Sequence, residues 1–184
     1  MARTSNKGFR LEKSLVGIDS PPVLEYIITN SATITLGDAI EIIDDAGYAN
    51  VADADDKVAG VAVGVVTTNG ISVFGHGAPT TDGTVTGDDT FTAASDNKTD
   101  QQVKVQIVYP NDSLFYNEAD SALTAAEVGR YFALTATGDQ VTGTGDGTAR
   151  TCQLVQILTL AGGPNSGGEG LFRFSRSQWT NEAV

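Results

Sequence analysis

The hydrophobic positions of this chain recur mainly at every second residue, in short runs separated by Gly, Asn, Asp and Pro. This is the period of a β-strand with one buried face. The clearest run, residues 102–109, places Val103, Val105 and Ile107 on one face and ends at Pro110. Thr, Val and Gly are also abundant, so the pattern predicts an all-β fold.

Residues 33–74 form the predicted centre of this fold. The run after residue 58 consists largely of Gly, Ala and Val, whose small side chains let neighbouring backbones approach closely. That composition suits the tightly packed wall of a small barrel. The dipeptide Asn69-Gly70 accepts positive φ at both central turn positions, so it predicts a two-residue type I′ hairpin.

Other elements follow from the same pattern and from turn residues. One short helix is predicted at residues 125–128, because Thr124 and Glu127 complete a capping box and Gly129 follows. Residues 80–99, rich in Thr, Asp and Gly, are predicted as a long surface loop or a weak outer hairpin. Further strands are predicted at residues 23–29, 130–134, 151–160 and 171–175. The predicted core residues are Val61, Val63, Val65, Ile107, Leu154 and Leu158.

Residues 1–22 are predicted to form an extended arm that is flexible when free. Residues 23–184 are predicted to form a β-domain that ends in a polar C-terminal tail. The arm lacks a clean period and ends at Pro21-Pro22. One alternative is an ordinary disordered terminus; the other is a segment that orders on a partner and can be deleted without harm to the fold. The predicted contact residues combine cations with apolar side chains: Arg3, Lys7, Phe9, Arg10, Leu11, Lys13, Leu15 and Val16.

Charge is distributed unevenly along the chain, whose formal net charge is −12. Four of the eleven cationic residues lie in the first thirteen positions, whereas residues 14–149 carry twenty acids against four bases, a balance of −16. Such an acidic body favours solubility and is a poor partner for nucleic acid. No apolar run approaches the roughly 20 residues that span a bilayer, and the N-terminus lacks the apolar core of a signal peptide. We therefore expect folding in a cytosol and no membrane partner.

Residues typical of enzymes are sparse. His76 is the only histidine and cannot alone form a zinc cluster or a catalytic triad. Cys152 lies in a predicted strand, so we expect a buried, inert thiol. The acidic loop at residues 50–56 does not fit an EF-hand, because Val58 replaces the turn glycine and Gly64 the terminal glutamate. We expect no catalytic activity, no cofactor and no metal.

Several stretches together resemble the head-decoration, or capsid cement, proteins of tailed bacteriophages. They are residues 32–40, 57–62, 114–117 with 125–134, and 171–174. The resemblance covers most of residues 32–176. It implies a barrel-like, β-tulip-type domain that forms a homotrimer on the outside of an expanded icosahedral head and stabilises it. The implied partner is the major capsid protein, against which the N-terminal arm orders, and the implied location is the capsid surface of the virion.

A carbohydrate- or receptor-binding β-module of a virion surface is the alternative interpretation. Exposed aromatic and acidic side chains on a β scaffold suit that role. It would be favoured if Tyr48, Tyr116 and Trp179 lined one exposed groove. Trp179 could equally cap the core or anchor an interface.

Overall fold

The computed structural model describes residues 8–14, 21–43, 47–53, 56–74, 82–109, 113–142, 151–159 and 168–175. This part of the chain contains fourteen strands and one single-turn 3-10 helix, Ala125–Glu127. The strands are β1 Arg10–Ser14, β2 Val23–Ile27, β3 Thr33–Thr35, β4 Ala39–Ile43, β5 Tyr48–Val51, β6 Gly60–Val66, β7 Gly83–Thr86, β8 Thr90–Ala93, β9 Lys104–Val108, β10 Ser113–Glu118, β11 Tyr131–Leu134, β12 Val141–Thr142, β13 Cys152–Thr159 and β14 Glu169–Phe174. The predicted all-β class is confirmed.

The strands form three antiparallel sheets. The six-stranded sheet has the order β1-β10-β14-β13-β11-β12, the five-stranded sheet β2-β9-β6-β4-β5, and the three-stranded sheet β3-β8-β7. Within the described ranges none of these sheets closes into a barrel. The hairpin β7–β8 occupies the segment predicted as a loop or weak outer hairpin.

Two hydrophobic clusters hold the sheets together. The first is rich in aromatic rings and includes Phe115, Phe132 and Phe172 from the six-stranded sheet. The second is mostly aliphatic, with Phe91 as its buried aromatic ring, and joins the five-stranded sheet to the three-stranded one. Strand β6 contributes Val61 to the first cluster and Ala62 to the second, so it is packed on both faces. Small residues in β6 make this double packing feasible, as the sequence indicated.

Residues 8–14 belong to the β-domain, so the predicted arm boundary at residue 22 is wrong for this part of the chain. β1 pairs antiparallel with β10, and Phe9 is only 2% exposed. The Phe9 ring lies 4.8 Å from that of Phe174 and 6.5 Å from that of Phe115, between ring centroids. Burial of a phenylalanine side chain contributes about 1.5 to 3 kcal/mol, which offsets part of the cost of ordering the segment.

Four of the six predicted core residues are buried, namely Val61, Val65, Ile107 and Leu154. The other two predictions are wrong: Val63 is 45% exposed and Leu158 is 46% exposed. Each lies at a break in strand register, between Ala62 and Gly64 in β6 and between Ile157 and Thr159 in β13. A bulge inserts an extra residue and turns the following side chains to the other face.

The hairpin at Asn69-Gly70 exists, but its turn is not type I′. Only Gly70 has positive φ there, at 74°. The Gly70 N–H donates to the Thr67 carbonyl at 2.8 Å, and the Thr67 N–H donates to the Ile71 carbonyl at 2.9 Å. This is a three-residue loop, a type I turn closed by a glycine bulge. The positive φ of Gly70 favours glycine at that position, whereas Asn69 does not adopt the left-handed conformation that a type I′ turn would require.

The helix start was predicted correctly, although the helix is a single 3-10 turn. The Thr124 N–H and hydroxyl donate to Glu127 Oε2, at 2.6 and 3.0 Å. Gly129 follows with φ 87°. His76, Trp179 and the predicted C-terminal tail lie outside the described residues.

Candidate functional site

Strand β1 lies at one edge of the six-stranded sheet. It pairs with β10 on one side, and the described residues place no strand on its other side. Arg10, Leu11 and Glu12 are exposed there. An open strand edge presents unpaired N–H and C=O groups, to which an extended segment of another protein can pair.

Strand β2 is the terminal strand of the five-stranded sheet, as β1 is of the six-stranded sheet. Ser14 of β1 pairs with Ser113 of β10, and Val23 of β2 pairs with Val108 of β9. We call residues 10–14 and 23–27 the N-terminal edge. Both of its halves are terminal in their sheets.

The predicted contact residues fall into three groups. Phe9 is buried in the aromatic cluster and is therefore not part of the exposed surface. Arg10 and Leu11 are exposed on β1, with Leu11 at 36%, and Lys13 lies in the same strand. Arg3, Lys7, Leu15 and Val16 lie outside the described residues. Of the predicted contact residues, Arg10 and Leu11 are therefore the two that the structure shows to be exposed on the edge strand.

Arg10 is held in place by a neighbouring tyrosine. Its guanidinium carbon lies 4.1 Å from the centroid of the Tyr116 ring, a cation–π contact. The Tyr116 hydroxyl donates to Glu169 Oε1 at 2.6 Å. Burial, followed by this hydrogen bond, raises the pKa of Tyr116 to about 12. The phenol therefore stays protonated in neutral solution, and the Arg10 cation faces a neutral ring.

A glycine junction joins Gly8 and Phe9, the first described residues, to two loops. The Gly8 N–H donates to the Asp139 carbonyl at 2.9 Å, and the Phe9 N–H donates to the Gly37 carbonyl at 2.7 Å. Gly8 and Gly37 have φ of 96° and 99°. A cleft of about 500 Å³ opens beside Gly8, and the side chains of Asp38, Asp89 and Asp139 line it.

Asp38 is the buried carboxyl of this junction. It is 4% exposed, and its Oδ2 accepts a hydrogen bond from the Thr35 N–H at 2.7 Å. Burial above all, and then the charges of Asp139 and Asp89, raise the pKa of Asp38 to about 7, although the hydrogen bond from Thr35 acts to lower it. Asp38 was not predicted as a site residue from the sequence, because nothing in Gly37-Asp38 distinguishes it from an ordinary turn.

Other candidate chemistry is limited in the part of the chain that the structure describes. Cys152 is fully buried, and burial raises its pKa well above the ordinary value, which disfavours the reactive thiolate. No group of three or more His, Cys, Asp or Glu residues among the described ones could hold a metal ion. Nor is any described helix long and apolar enough to cross a membrane.

Of the aromatic residues named for the alternative interpretation, Tyr48 and Tyr116 lie in different sheets, and Trp179 lies outside the described residues. Tyr48 is in β5 of the five-stranded sheet, where the Lys98 ammonium lies 4.5 Å from its ring centroid. Tyr116 is in β10 of the six-stranded sheet, under Arg10. Each ring therefore has its own cationic partner.

Comparisons with known proteins give little further guidance. No protein-family model matches the chain, and no curated protein matches it either. Among solved structures, the chain is similar to the pre-mature gene product 12 of bacteriophage phi29, at 12% sequence identity and a TM-score of 0.43. The similarity covers 95% of this chain and 23% of that chain. At this identity and TM-score it supports no conclusion about function.

Proposed function

We propose that this protein is a structural component of a tailed-phage virion, which binds the outer surface of the expanded capsid as a homotrimer and stabilises it. The observation that carries the proposal is the N-terminal edge, where Arg10 and Leu11 stand exposed on an open strand. The sequence resemblance to capsid cement proteins supports the same role. In this account the protein has no catalytic function and is made in the host cytoplasm.

The charge distribution suits a protein that must stay apart from its own copies before it meets a shell. A net charge of −12 keeps free molecules soluble and mutually repelling. The cations near the N-terminus form the exception, and coat-protein carboxylates are the groups that they would meet. Electrostatic complementarity of this kind gives orientation and speed of binding more than affinity.

Contact through a strand edge gives the binding its geometry. A coat-protein segment that pairs with β1 gains main-chain hydrogen bonds, and the exposed Leu11 side chain supplies an apolar contact. Because Phe9 fixes β1 to the domain, the edge is largely preformed and binding does not require the whole segment to order. Three such edges in a trimer convert weak single contacts into firm attachment through effective concentration.

A matched pair of variants tests the proposal. Leu11 and Leu158 are both exposed leucines, at 36% and 46%, on different strands. Leu11→Ser should weaken binding of the purified protein to expanded shells about fivefold or more, as expected for a central interface contact. Leu158→Ser should leave binding unchanged. Both variants should keep the far-ultraviolet circular dichroism of the wild type.

Salt dependence provides a second readout, with binding measured by co-sedimentation of the protein with expanded shells. Replacement of the four N-terminal cations Arg3, Lys7, Arg10 and Lys13 by Gln should weaken binding less than Leu11→Ser does. The remaining binding should also respond less to salt, because exposed charges are screened within about 10 Å at 0.1 M. Equal losses for the two leucine variants, or none for either, would place the contact elsewhere.

A further inference from the structure

The loops that hold the first described residues of the chain also carry its buried acid. Gly37, whose carbonyl binds the Phe9 N–H, directly precedes Asp38. Asp139, whose carbonyl binds the Gly8 N–H, presents its side chain to the same cleft as Asp38. The backbone of Gly8 forms part of the wall of that cleft. The loops that hold the N-terminal segment therefore also form the surroundings of Asp38.

The charged groups that face Asp38 are acidic. Asp139 comes from the loop between β11 and β12, where Thr135 Oγ1 donates to its Oδ1 at 2.9 Å. Asp89 comes from the turn between β7 and β8, where Thr90 Oγ1 donates to its Oδ1 at 3.2 Å. The described lining of the cleft contains no Lys, Arg or His. Lys7, next to Gly8 in sequence, lies outside the described residues.

We propose that ionisation of Asp38 loosens the N-terminal segment, residues 8–14, so that the segment is held more firmly in weak acid than in neutral or alkaline solution. In the closed junction the ionised Asp38 loses most of its hydration and faces two further carboxylates. Departure of Gly8 opens the cleft wall to water, which hydrates the carboxylate and screens the repulsion. Ionisation and opening therefore favour each other.

The direction and range of the effect follow from linkage. The pKa of Asp38 is about 7 in the closed junction, against 3.8 for the ordinary group. If opening restores the ordinary value, the opening equilibrium rises by up to about tenfold for each pH unit between these two values and levels off above the higher one. From pH 5 to pH 8 a rise of tenfold or more is expected.

Hydrogen exchange on the free wild-type protein tests this without any shell or partner. Protection factors, corrected for the intrinsic exchange rate, are compared at pH 5 and pH 8. The Phe9 amide and those of β1 report on the segment, and the amides of β9, an interior strand of its sheet, report on global unfolding. The segment should be less protected than β9 at both pH values, because it opens without global unfolding, and its protection should fall by about tenfold or more from pH 5 to pH 8.

Asp38→Asn is the principal variant, because its amide oxygen can still accept the Thr35 N–H bond but cannot ionise. It should hold the segment equally well at both pH values. Should it fail to fold, Asp139→Asn removes a neighbouring charge and should reduce the loss of protection relative to wild type. A wild-type segment that is as protected as β9, or whose protection does not fall between pH 5 and pH 8, or variants that show the full wild-type pH dependence, would overturn the proposal.

Discussion

Gly8 and Gly37 meet backbone to backbone, so closely that a Cβ atom on Gly37 would lie 2.9 Å from the Cα of Gly8. The other nearest atoms are also main-chain atoms, Gly8 C at 3.1 Å and Phe9 N at 3.2 Å. Main-chain atoms cannot swing aside as the end of a long side chain can. This contact sets how near the N-terminal segment lies to the loop that carries Asp38.

Gly37→Ala should therefore destabilise the domain by about 3 to 5 kcal/mol, because it adds a steric clash to the strain of a positive φ. The control is Gly70→Ala, where φ is 74° and no atom lies within 4 Å of the added Cβ. That variant should lose only about 1 to 2 kcal/mol, from backbone conformation alone. Urea denaturation measures both; equal losses would show that the two glycine backbones are not in contact.

Phe9→Ala should cost about 3 to 5 kcal/mol, because the ring leaves a cavity beside Phe115 and Phe174. Leu11→Ala, two residues away but exposed, should cost about 1 kcal/mol or less. Deletion of residues 2–18 should likewise destabilise the fold, contrary to the expectation from sequence. Thermal melting that is unchanged by Phe9→Ala would show that residues 8–14 are not part of the domain.

Leu154 and Leu158 provide a matched comparison within β13. Leu154 is fully buried in the aromatic cluster, so Leu154→Ala should cost about 2 to 5 kcal/mol. Leu158 is exposed past a register break, so Leu158→Ala should change the free energy of unfolding by about 0.5 kcal/mol or less. Chemical denaturation of the two variants side by side decides the point; a large loss for Leu158→Ala would mean that its side chain is covered.

Asp38 should make the protein less stable as the pH rises. Its folded pKa of about 7 lies above its ordinary value of 3.8, so its favourable contribution is complete below the ordinary value and is lost as pH rises through the folded one. Between pH 4 and 7 the free energy of unfolding attributable to this group should fall by up to about 1.4 kcal/mol per pH unit. The difference between wild type and Asp38→Asn in urea isolates the contribution. A difference that is constant with pH would show that Asp38 titrates normally.

Alternation in the sequence predicted the strands and most of the core, because burial on one face of a strand leaves a period of two. Val105 and Ile107 illustrate this, since both are fully buried on the predicted face of β9. The same reasoning failed at Val63 and Leu158. A bulge is fixed by how two distant strands align, and nothing in the local run of apolar residues specifies it.

The candidate site was only partly accessible from sequence. The mixture of cations and apolar residues identified Arg10 and Leu11, which are exposed on the edge strand. It could not assign Phe9 to the core, because one buried residue beside an edge strand produces no periodicity. Asp38 could not be recognised from the local sequence either. Its burial arises from the packing of Gly8 and of the loop that contains Asp139, both remote in sequence.

Electron cryo-microscopy of phage shells mixed with the purified protein tests capsid binding most directly. Expanded shells should carry added density on their outer surface in groups of three, with β1 of each copy against the coat protein, and unexpanded shells should remain bare. Expanded shells that stay bare, or copies bound with the N-terminal edge turned toward solvent, would contradict the proposed function.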